Sequence, residues 1–158
     1  MIFIAICTLI LISLGLIENF CLAKKISKIK IRILVNGTRG KSTVVRLLNA
    51  ALKNCGVKCI AKSTGSQASF ILPDLTEKPI NRKRGKNLVR EQRWFFDSAA
   101  KNNCDAVVCE CNAVRPENQK IYAEKVMKPT LVAITNTMPD HIDEMGEDTE
   151  KIIMLSVP

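Results

Sequence analysis

The chain has 158 residues, of which 47% are hydrophobic, and a formal net charge of +9. This length has room for one soluble domain and a membrane segment. The seven cysteines form no C-x-x-C pair and the single histidine lies far from them in sequence, which argues against a disulfide framework and against a zinc site. Cysteines on apolar strands, such as Cys109, are expected to be small buried residues without chemistry.

The first apolar stretch predicts a transmembrane anchor at residues 1–23. Residues 1–17 form an almost unbroken apolar run without a basic residue, and Glu18 and Asn19 interrupt it before the basic segment 24–30. A helix needs about 20 residues to cross a bilayer, and the basic region that opens a cleaved signal peptide is missing from this run. We therefore expect a retained anchor, with Glu18 and Asn19 near the headgroup region.

Two basic regions carry most of the positive charge. The juxtamembrane linker 24–30 is expected to attract anionic membrane lipid, and the positive-inside rule places the C-terminal side of the anchor in the cytoplasm. The chain is thus predicted to be a single-pass protein of the cell membrane with a cytoplasmic domain at residues 31–158. The second basic region, 78–93, lacks interleaved aromatic residues, so we expect no nucleic acid partner. Its interpretation as a solvated loop or as an attraction for an anionic substrate stays open.

Beyond the anchor, short apolar runs alternate with helical patterns. The predicted strands lie at residues 31–35, 57–61, 106–109 and 130–135. The predicted helices lie at residues 42–54, 88–101 and 116–127. A polar loop is expected at residues 62–67, a Pro-containing basic segment at residues 73–87, and core-facing aromatic rings at residues 94–96. Strands that alternate with helices predict an α/β fold with a mostly parallel sheet that helices cover.

The segment from Asn36 to Thr43 predicts a phosphate-binding loop. It follows the first strand and opens a helix, as the mechanism requires, because glycines turn backbone N–H groups toward phosphate oxygens at a helix N-terminus. Lys41 would supply a charge and Ser42 a hydroxyl for Mg²⁺. Only two residues separate Gly37 from Gly40, fewer than in the general P-loop spacing. The alternative is a plain strand-to-helix turn.

The loops after the other strands carry further candidates. Ligands of parallel sheets bind at the carboxyl ends of the strands, where Thr64, Glu110 and Asn136 are found. Glu110 is a candidate Mg²⁺ ligand, with a helix N-terminal acid as the alternative. His141 lies in the segment 140–143 between two aspartates and is a candidate metal ligand, with a structural or surface-exposed histidine as the alternative. From chemistry alone, Arg39 is either a phosphate contact or a solvated side chain, and Thr64 either a nucleotide contact or a turn cap.

Taken together, these residues resemble the central ATPase domain of the Mur ligase superfamily. The resemblance rests on the string Gly37 to Thr43, on Glu110 at a strand end, and on Asn136 ahead of the segment 140–143. The chain is more closely similar to the ligase subunit of poly-γ-glutamate synthases. That similarity is carried by the anchor, residues 36–43, the Thr64–Gly65 turn, residues 77–80 with their basic continuation, and residues 110–114.

The resemblance implies an ATP-dependent ligase that forms γ-glutamyl amide bonds in poly-γ-glutamate capsule synthesis. ATP would phosphorylate a glutamate γ-carboxylate, and the amine of another glutamate would attack the acyl phosphate. Catalytic roles are implied for Lys41, Glu110 and His141, with Ser42 and Glu110 on one Mg²⁺ and His141 on a second. The implied nucleotide-binding residues are Gly37, Thr38, Arg39, Gly40, Lys41, Ser42, Thr43, Thr64 and Asn136.

The same resemblance implies glutamate or poly-γ-glutamate as substrate and other membrane subunits of a synthase as partners. Ligases of this superfamily continue well beyond the Asp-His segment, so we expect an incomplete Mur-ligase-like central domain, from a fragment or a truncated reading frame. A non-catalytic nucleotide-binding subunit that anchors or regulates a membrane assembly is the alternative. A P-loop phosphotransferase or GTPase fits the shortened loop less well.

Overall fold

The computed structural model describes residues 1–65, 67–80, 88–139 and Ile153. Within these residues, helices cover both faces of a six-stranded sheet. The strands are β1 (Ile31–Asn36), β2 (Cys59–Ser63), β3 (Ser69–Ile71), β4 (Glu77–Pro79), β5 (Ala106–Glu110) and β6 (Leu131–Ile134). The helices are α1 (Ile2–Lys28), α2 (Lys41–Asn54), α3 (Leu88–Lys101) and α4 (Pro116–Ile121), and α4 continues as a π-helical turn, Tyr122–Met127.

The sheet is mostly parallel, in the order β4-β3-β2-β5-β1-β6. β2, β5, β1 and β6 run parallel to one another, whereas β3 pairs antiparallel with β2 and forms a hairpin with β4 at one edge. The register places Val35 opposite Glu110 and Asn36 opposite Ile134, so the ends of three strands meet at one edge. The predicted α/β class with a mostly parallel sheet is confirmed.

Two apolar cores lie on opposite faces of the sheet. On one face, α2 packs through Val45 and its neighbours against Ile33, Val35 and Val108. On the other face, α1, α3 and the π-helical turn after α4 share a core that includes Ile26, Phe95 and Phe96 of α1 and α3. Alternate residues of the central strands supply both cores, which is why these strands read as continuous apolar runs.

Most predicted elements are confirmed, with shifts at their ends. β1, α3 and β5 agree with their predictions to within one residue. β2 starts at Cys59 and ends at Ser63, so Lys62 and Ser63 belong to a strand and the predicted loop at residues 62–67 is wrong at its start. The loop was predicted to start at Lys62 because charged side chains are rarely buried. In the structure Lys62 is fully buried, and its Nζ pairs with Glu91 at 3.3 Å.

The β3–β4 hairpin escaped the sequence analysis. Each strand has three residues, too few to show an alternating pattern, and β4 ends in Pro79. The connecting turn closes through the Thr76 carbonyl, which accepts from the Leu72 N–H at 2.9 Å. The aromatic prediction is partly wrong, because Phe95 and Phe96 are buried whereas Trp94 is 43% exposed. Trp94 packs instead on Phe70 of β3, with 4.2 Å between ring centroids.

α1 is the one helix among the described residues that is long and apolar enough to cross a membrane. Its large apolar residues up to Phe20 are exposed, whereas Ile26 is buried in the core between the sheet and α3. The helix continues through Lys28, so most of the predicted basic segment 24–30 is helical. Ile29 follows in extended conformation, is buried in the same core, and leads within two residues into β1.

Candidate nucleotide site

The predicted site residues gather where β1, β2, β5 and β6 end. Each of these strands is followed at once by a polar loop, and the parallel pairing brings the four loops to one edge of the sheet. A cavity of about 190 Å³ opens there. It is lined by Asn36, Gly37, Thr38, Lys41, Thr64, Glu110, Cys111, Asn112, Ala113, Val114 and Gln119.

Two glycines shape the loop between β1 and α2. Gly37 has φ 128°, and a Cβ there would lie 2.8 Å from the Asn136 carbonyl oxygen. Gly40 has φ 81° and is the N-cap of α2 without a side-chain hydrogen bond. Residues that carry a side chain rarely adopt either of these backbone conformations. The uncapped first turn of α2 therefore points its N–H groups and the positive end of its dipole at the cavity, an arrangement that favours an anion.

Asn136 fastens this loop to the end of β6. Its side-chain amide donates to the Arg39 carbonyl at 2.8 Å, and its Oδ1 accepts from the Arg39 N–H at 3.3 Å and from the Thr38 hydroxyl. The Thr38 N–H donates to the Asn136 carbonyl at 3.2 Å. Asn136 thus acts on the loop backbone, which explains how a residue almost a hundred positions away belongs to the site.

Glu110 brings three of the loops together. Its Oε2 accepts from the Ser42 hydroxyl at 2.8 Å, from the Thr64 N–H at 2.8 Å and from the Ser63 hydroxyl at 3.3 Å. Glu110 is only 4% exposed, so these donors offset the cost of burying its charge. Gly65 permits the close approach, because a Cβ there would lie 2.5 Å from Ser42 Oγ.

Lys41 is folded over the loop. Its Nζ donates to the Gly37 carbonyl at 2.6 Å and to the Thr38 carbonyl at 3.1 Å. The side chain is half-buried and lines the cavity. An ammonium group held by loop carbonyls can reach an anion in the same cavity by turning about its flexible stem.

Sequence analysis placed Asn36 in the phosphate loop and Ser63 in the polar loop 62–67 without giving either a role of its own, and it missed Gln119. The buried Asn36 side chain donates to Gln119 Oε1 at 2.9 Å and accepts from the Gly37 N–H at 2.9 Å, while Gln119 donates to the Val114 carbonyl at 3.0 Å. The position of Asn36 at the head of the glycine loop was a usable signal. Gln119 gave none, because it lies on α4, 83 residues from its partner.

Thiols near the site are buried and stay neutral. Cys111 lines the cavity, and burial raises its pKa to about 11. Burial likewise raises the pKa of Cys109, whose Sγ lies 2.9 Å from the Tyr122 hydroxyl. The prediction that Cys109 is a small buried residue is confirmed.

A second cavity of about 510 Å³ is lined by Gly65, the residue after Thr64 of the first cavity, and by residues of the β3–β4 hairpin. Arg46 of α2 donates from Nε and Nη2 to Glu77 at 2.8 and 3.1 Å, and the Ser69 hydroxyl donates to Glu77 at 2.9 Å. The hydrogen bonds from Arg46 and then from Ser69 lower the pKa of Glu77. The cavity therefore has a charged wall that stays ionised at neutral pH.

Comparison with known proteins decides the family. The sequence profile described as the Mur ligase middle domain matches residues 35–154, about three quarters of the chain. The chain belongs to the Mur ligase family. No solved structure matches it significantly.

Two curated relatives refine the family. This Mur ligase chain is 38% identical over 151 residues to the capsule biosynthesis protein CapB of Bacillus anthracis, covering 94% of this chain and 32% of that protein. It is 36% identical over 147 residues to the PGA synthase CapB of Bacillus subtilis strain 168, covering 92% of this chain and 37% of that protein. The chain thus spans about a third of the length of these relatives, and the predicted resemblance is confirmed.

Within this Mur ligase domain, most residues of the predicted nucleotide set lie at the same edge. Gly37, Thr38, Lys41, Thr64 and Glu110 line the first cavity, and Ser42 and Asn136 contact lining residues. The backbone of Arg39 belongs to the loop, whereas its side chain and that of Thr43 are exposed. The predicted metal ligand His141, with the segment 140–143 around it, lies outside the described residues.

Proposed function

We propose that this chain is the nucleotide-binding part of a membrane-anchored, ATP-dependent carboxylate–amine ligase that forms γ-glutamyl amide bonds in poly-γ-glutamate capsule synthesis. The membership in the Mur ligase family and the names of both relatives support this function. The single observation that carries it is the convergence of Lys41, Ser42, Thr64 and Glu110 on one cavity below the glycine loop.

The loop is suited to the phosphates of ATP. N–H groups of Thr38 to Ser42 would hold phosphate oxygens at the first turn of α2, and Lys41 would turn from the loop carbonyls to the γ-phosphate. Phosphate oxygens would then replace the Gly37 and Thr38 carbonyls as the acceptors of Lys41 Nζ, which are 2.6 and 3.1 Å away. Thr64 and Asn136 would support the same loop from the neighbouring strands.

The donors present fit Mg²⁺. Ser42 Oγ and Glu110 Oε2 lie 2.8 Å apart, and both are hard oxygen ligands. Within residues 1–65, 67–80 and 88–139, no cluster of three or more His, Cys, Asp or Glu side chains could hold a metal. Mg²⁺ is suited to such a sparse site, since it commonly binds through one or two protein groups together with substrate phosphates and water. When bound, it would supply positive charge that offsets the charge developing on the phosphates.

The ligation chemistry follows from positioning and charge. A γ-carboxylate oxygen of a glutamate would attack the γ-phosphorus, breaking its bond to ADP. The amine of a second glutamate, or of the polymer end, would then attack the acyl carbon, release inorganic phosphate and lose one proton. Lys41 would neutralise the moving phosphoryl group, and the N–H groups of the loop would hold it in line. His141 is proposed as the ligand of a second Mg²⁺.

The cavity beside Gly65 is our candidate for the glutamyl group. It begins next to Ser42, so a carboxylate inside it would lie near the γ-phosphate. Its volume of about 510 Å³ is ample for one glutamyl residue, and Arg46, which pairs with Glu77 of its lining, supplies a cation beside its wall. Glutamate, or poly-γ-glutamate, is the proposed substrate class.

The anchor completes the proposal. α1 would cross the cell membrane once, with anionic lipid around its inner lysines, and the ligase domain would lie in the cytoplasm, where ATP is found. Other membrane subunits of the synthase are the proposed partners.

Nucleotide binding tests the site directly. The full chain in detergent should bind a fluorescent ATP analogue in the presence of Mg²⁺, and Lys41→Ala should weaken binding roughly ten- to a hundredfold, the value of a lost charge-assisted contact. Lys53→Ala is the matched control, because Lys53 is an exposed lysine on the same helix that donates to the Asp74 carbonyl and does not line the first cavity. Equal affinity of the Lys41→Ala variant and the unchanged chain would refute the site.

Turnover separates the ligase from a non-catalytic anchoring or regulatory subunit. ADP should form in a glutamate-dependent manner when the chain is extended to the length of its relatives and supplied with ATP and Mg²⁺. A complete protein that binds ATP but forms no ADP with glutamate would support the non-catalytic subunit instead.

A further inference from the structure

The inner end of α1 is part of the ligase domain. Leu22, Ile26 and Ile29 pack in the core that α3 shares, and only Ile29 and Lys30 separate α1 from β1. A membrane span joined in this way has no flexible segment that would let the domain turn freely beneath it. The direction of α1 therefore sets the direction of the sheet.

Two ion pairs fix α3 alongside α1. Lys25 Nζ lies 2.6 Å from Asp97 Oδ1, and Arg93 pairs with Glu18. The earlier residue of α1, Glu18, pairs with the earlier residue of α3, and the later one, Lys25, pairs with the later one. α3 therefore runs parallel to α1, and its N-terminal half points toward the membrane side. The spacing from Glu18 to Lys25 corresponds to about 10 Å along a helix. Along α3 itself, Arg93 and its neighbour Trp94 precede Asp97, the partner of Lys25, by four and three residues, so they lie about 5–6 Å nearer to the bilayer centre than that lysine.

The strands run the opposite way. α3 ends at Lys101 and β5 begins at Ala106 on the same core, so the chain reverses between them. The chain reverses in the same way between α1 and β1, so β1 runs antiparallel to α1. Because β1 and β5 are parallel, their carboxyl ends both point back along α1 toward the membrane. Six residues of β1 span about 20 Å, which returns its end approximately to the level of Glu18.

From these directions we infer that the nucleotide site faces the bilayer: α1 and α3 hold the carboxyl-end edge of the sheet at the inner membrane surface, with Arg93 and Trp94 at headgroup depth. The inference rests on the proposed membrane anchor. The lipid headgroup layer is the partner, because the α3 surface continues directly from the span. A half-exposed tryptophan suits that layer, with its apolar ring and single N–H group. A polymer lengthened at this edge would emerge beside the membrane.

The chain offers a direct test, because Trp94 is its single tryptophan. The unchanged chain is placed in vesicles of phosphatidylcholine and phosphatidylglycerol, some with a spin-label quencher at the headgroup and others with a quencher at the bilayer centre. We expect headgroup quenchers to reduce Trp94 emission several-fold more than central quenchers do. Floating the vesicles on a density gradient reports membrane binding independently.

A second single-tryptophan chain supplies the matched control. Trp94→Phe combined with Lys101→Trp moves the probe seven residues along α3 to an exposed position about 10 Å farther from the bilayer. This variant should float with the vesicles and show much weaker headgroup quenching than the unchanged chain.

The outcomes are distinguishable. A floating chain whose Trp94 is not quenched, or is quenched less than the probe at position 101, would overturn the orientation and leave the anchor intact. A chain that does not float would overturn both. A quenched chain that binds no ATP would refute the proposed function while the orientation stands.

Discussion

The Ser42 hydroxyl donates to Glu110 at 2.8 Å, although 68 residues separate the two in sequence. The bond joins the first turn of α2 to the end of β5. The two oxygens that it joins, Ser42 Oγ and Glu110 Oε2, are the proposed ligands of Mg²⁺. The first prediction therefore addresses this pair.

Replacing Glu110 by Gln should separate metal-dependent from metal-independent nucleotide binding. The amide keeps the size of the side chain but removes the charge that a divalent cation requires. We expect ATP affinity in Mg²⁺ to fall by at least about tenfold, the lower end of the effects seen around metal sites. Affinity in excess chelator should change little. Titration of a fluorescent ATP analogue with and without Mg²⁺ measures both.

Ser27→Ala is a suitable control, since Ser27 is an exposed serine at the inner end of α1. If Glu110→Gln lowered affinity equally with and without Mg²⁺, Glu110 would be a structural support of the loop and not a metal ligand.

Gly37→Ala should disrupt the loop more than an ordinary glycine substitution. Gly37 has positive φ, and an added methyl group would lie 2.8 Å from the Asn136 carbonyl. Gly56 also has a positive φ, 76°, but a Cβ there would meet no atom within 4 Å. Gly56→Ala should therefore lower the free energy of unfolding only by the backbone strain of about 1–2 kcal/mol, and ATP binding should not change. Thermal unfolding and ATP titration of both variants test the difference. Equal ATP affinity of the Gly37→Ala and Gly56→Ala variants would contradict it.

The buried pair Lys62–Glu91 gives a stability prediction. Lys62 Nζ lies 3.3 Å from Glu91 Oε2, and the lysine side chain is fully buried. Glu91→Ala would remove this partner from the buried Lys62 ammonium group and should lower the free energy of unfolding by about 3–5 kcal/mol. Lys62→Met together with Glu91→Leu should leave that free energy nearly unchanged. Urea unfolding measures both. Glu124→Ala, which removes an exposed carboxylate, is the control. If the double variant unfolded as easily as Glu91→Ala, the prediction would be wrong.

Buried thiols predict a loss of stability at alkaline pH. Burial, and next the charge of Cys104, raise the pKa of Cys59 from 9.0 to about 12. The unfolded chain can therefore release this proton at a lower pH than the folded chain, so the stabilisation is complete below pH 9.0 and declines as the pH rises toward 12. Cys59→Ala should flatten the pH dependence of unfolding in this range.

The same burial predicts which thiols react. At pH 8 a disulfide reagent should modify the exposed Cys55 quickly and Cys59 only after unfolding, because the reagent requires an accessible thiolate. Mass spectrometry of the labelled peptides identifies the sites. Rapid labelling of Cys59 in the folded chain would contradict its burial.

The sequence was sufficient for the glycine loop between β1 and α2 and for the parallel strands, because both depend on local patterns. An apolar run, glycines and Lys41-Ser42 lie within a dozen residues, and each later strand shows its own apolar run. The Ser42–Glu110 contact was also within reach, since parallel strands bring their carboxyl ends together. The Mur ligase resemblance supplied the order of these features along the chain.

Other parts of the fold depend on partners distant in sequence. No local pattern reveals that Gln119 holds Asn36, or that Lys62 is buried because Glu91 lies 3.3 Å away. The β3–β4 hairpin is too short for periodicity and is stabilised by Arg46 on another element. The alignment of α1 with α3 likewise follows from Glu18 and Lys25 finding acidic or basic partners on α3.

The shared core of α1 and the ligase domain has a practical consequence for work with this protein. Deleting everything before Ile31 to obtain a water-soluble domain would remove Ile26 and Ile29, which are 5% and 2% exposed, and would uncover Phe95 and Phe96 behind them. Such a shortened protein would expose a sticky apolar surface and precipitate. Cutting ahead of Leu22, so that the last helical turns remain, would preserve the fold. The boundary between the exposed apolar segment and the sheet domain therefore lies inside a helix.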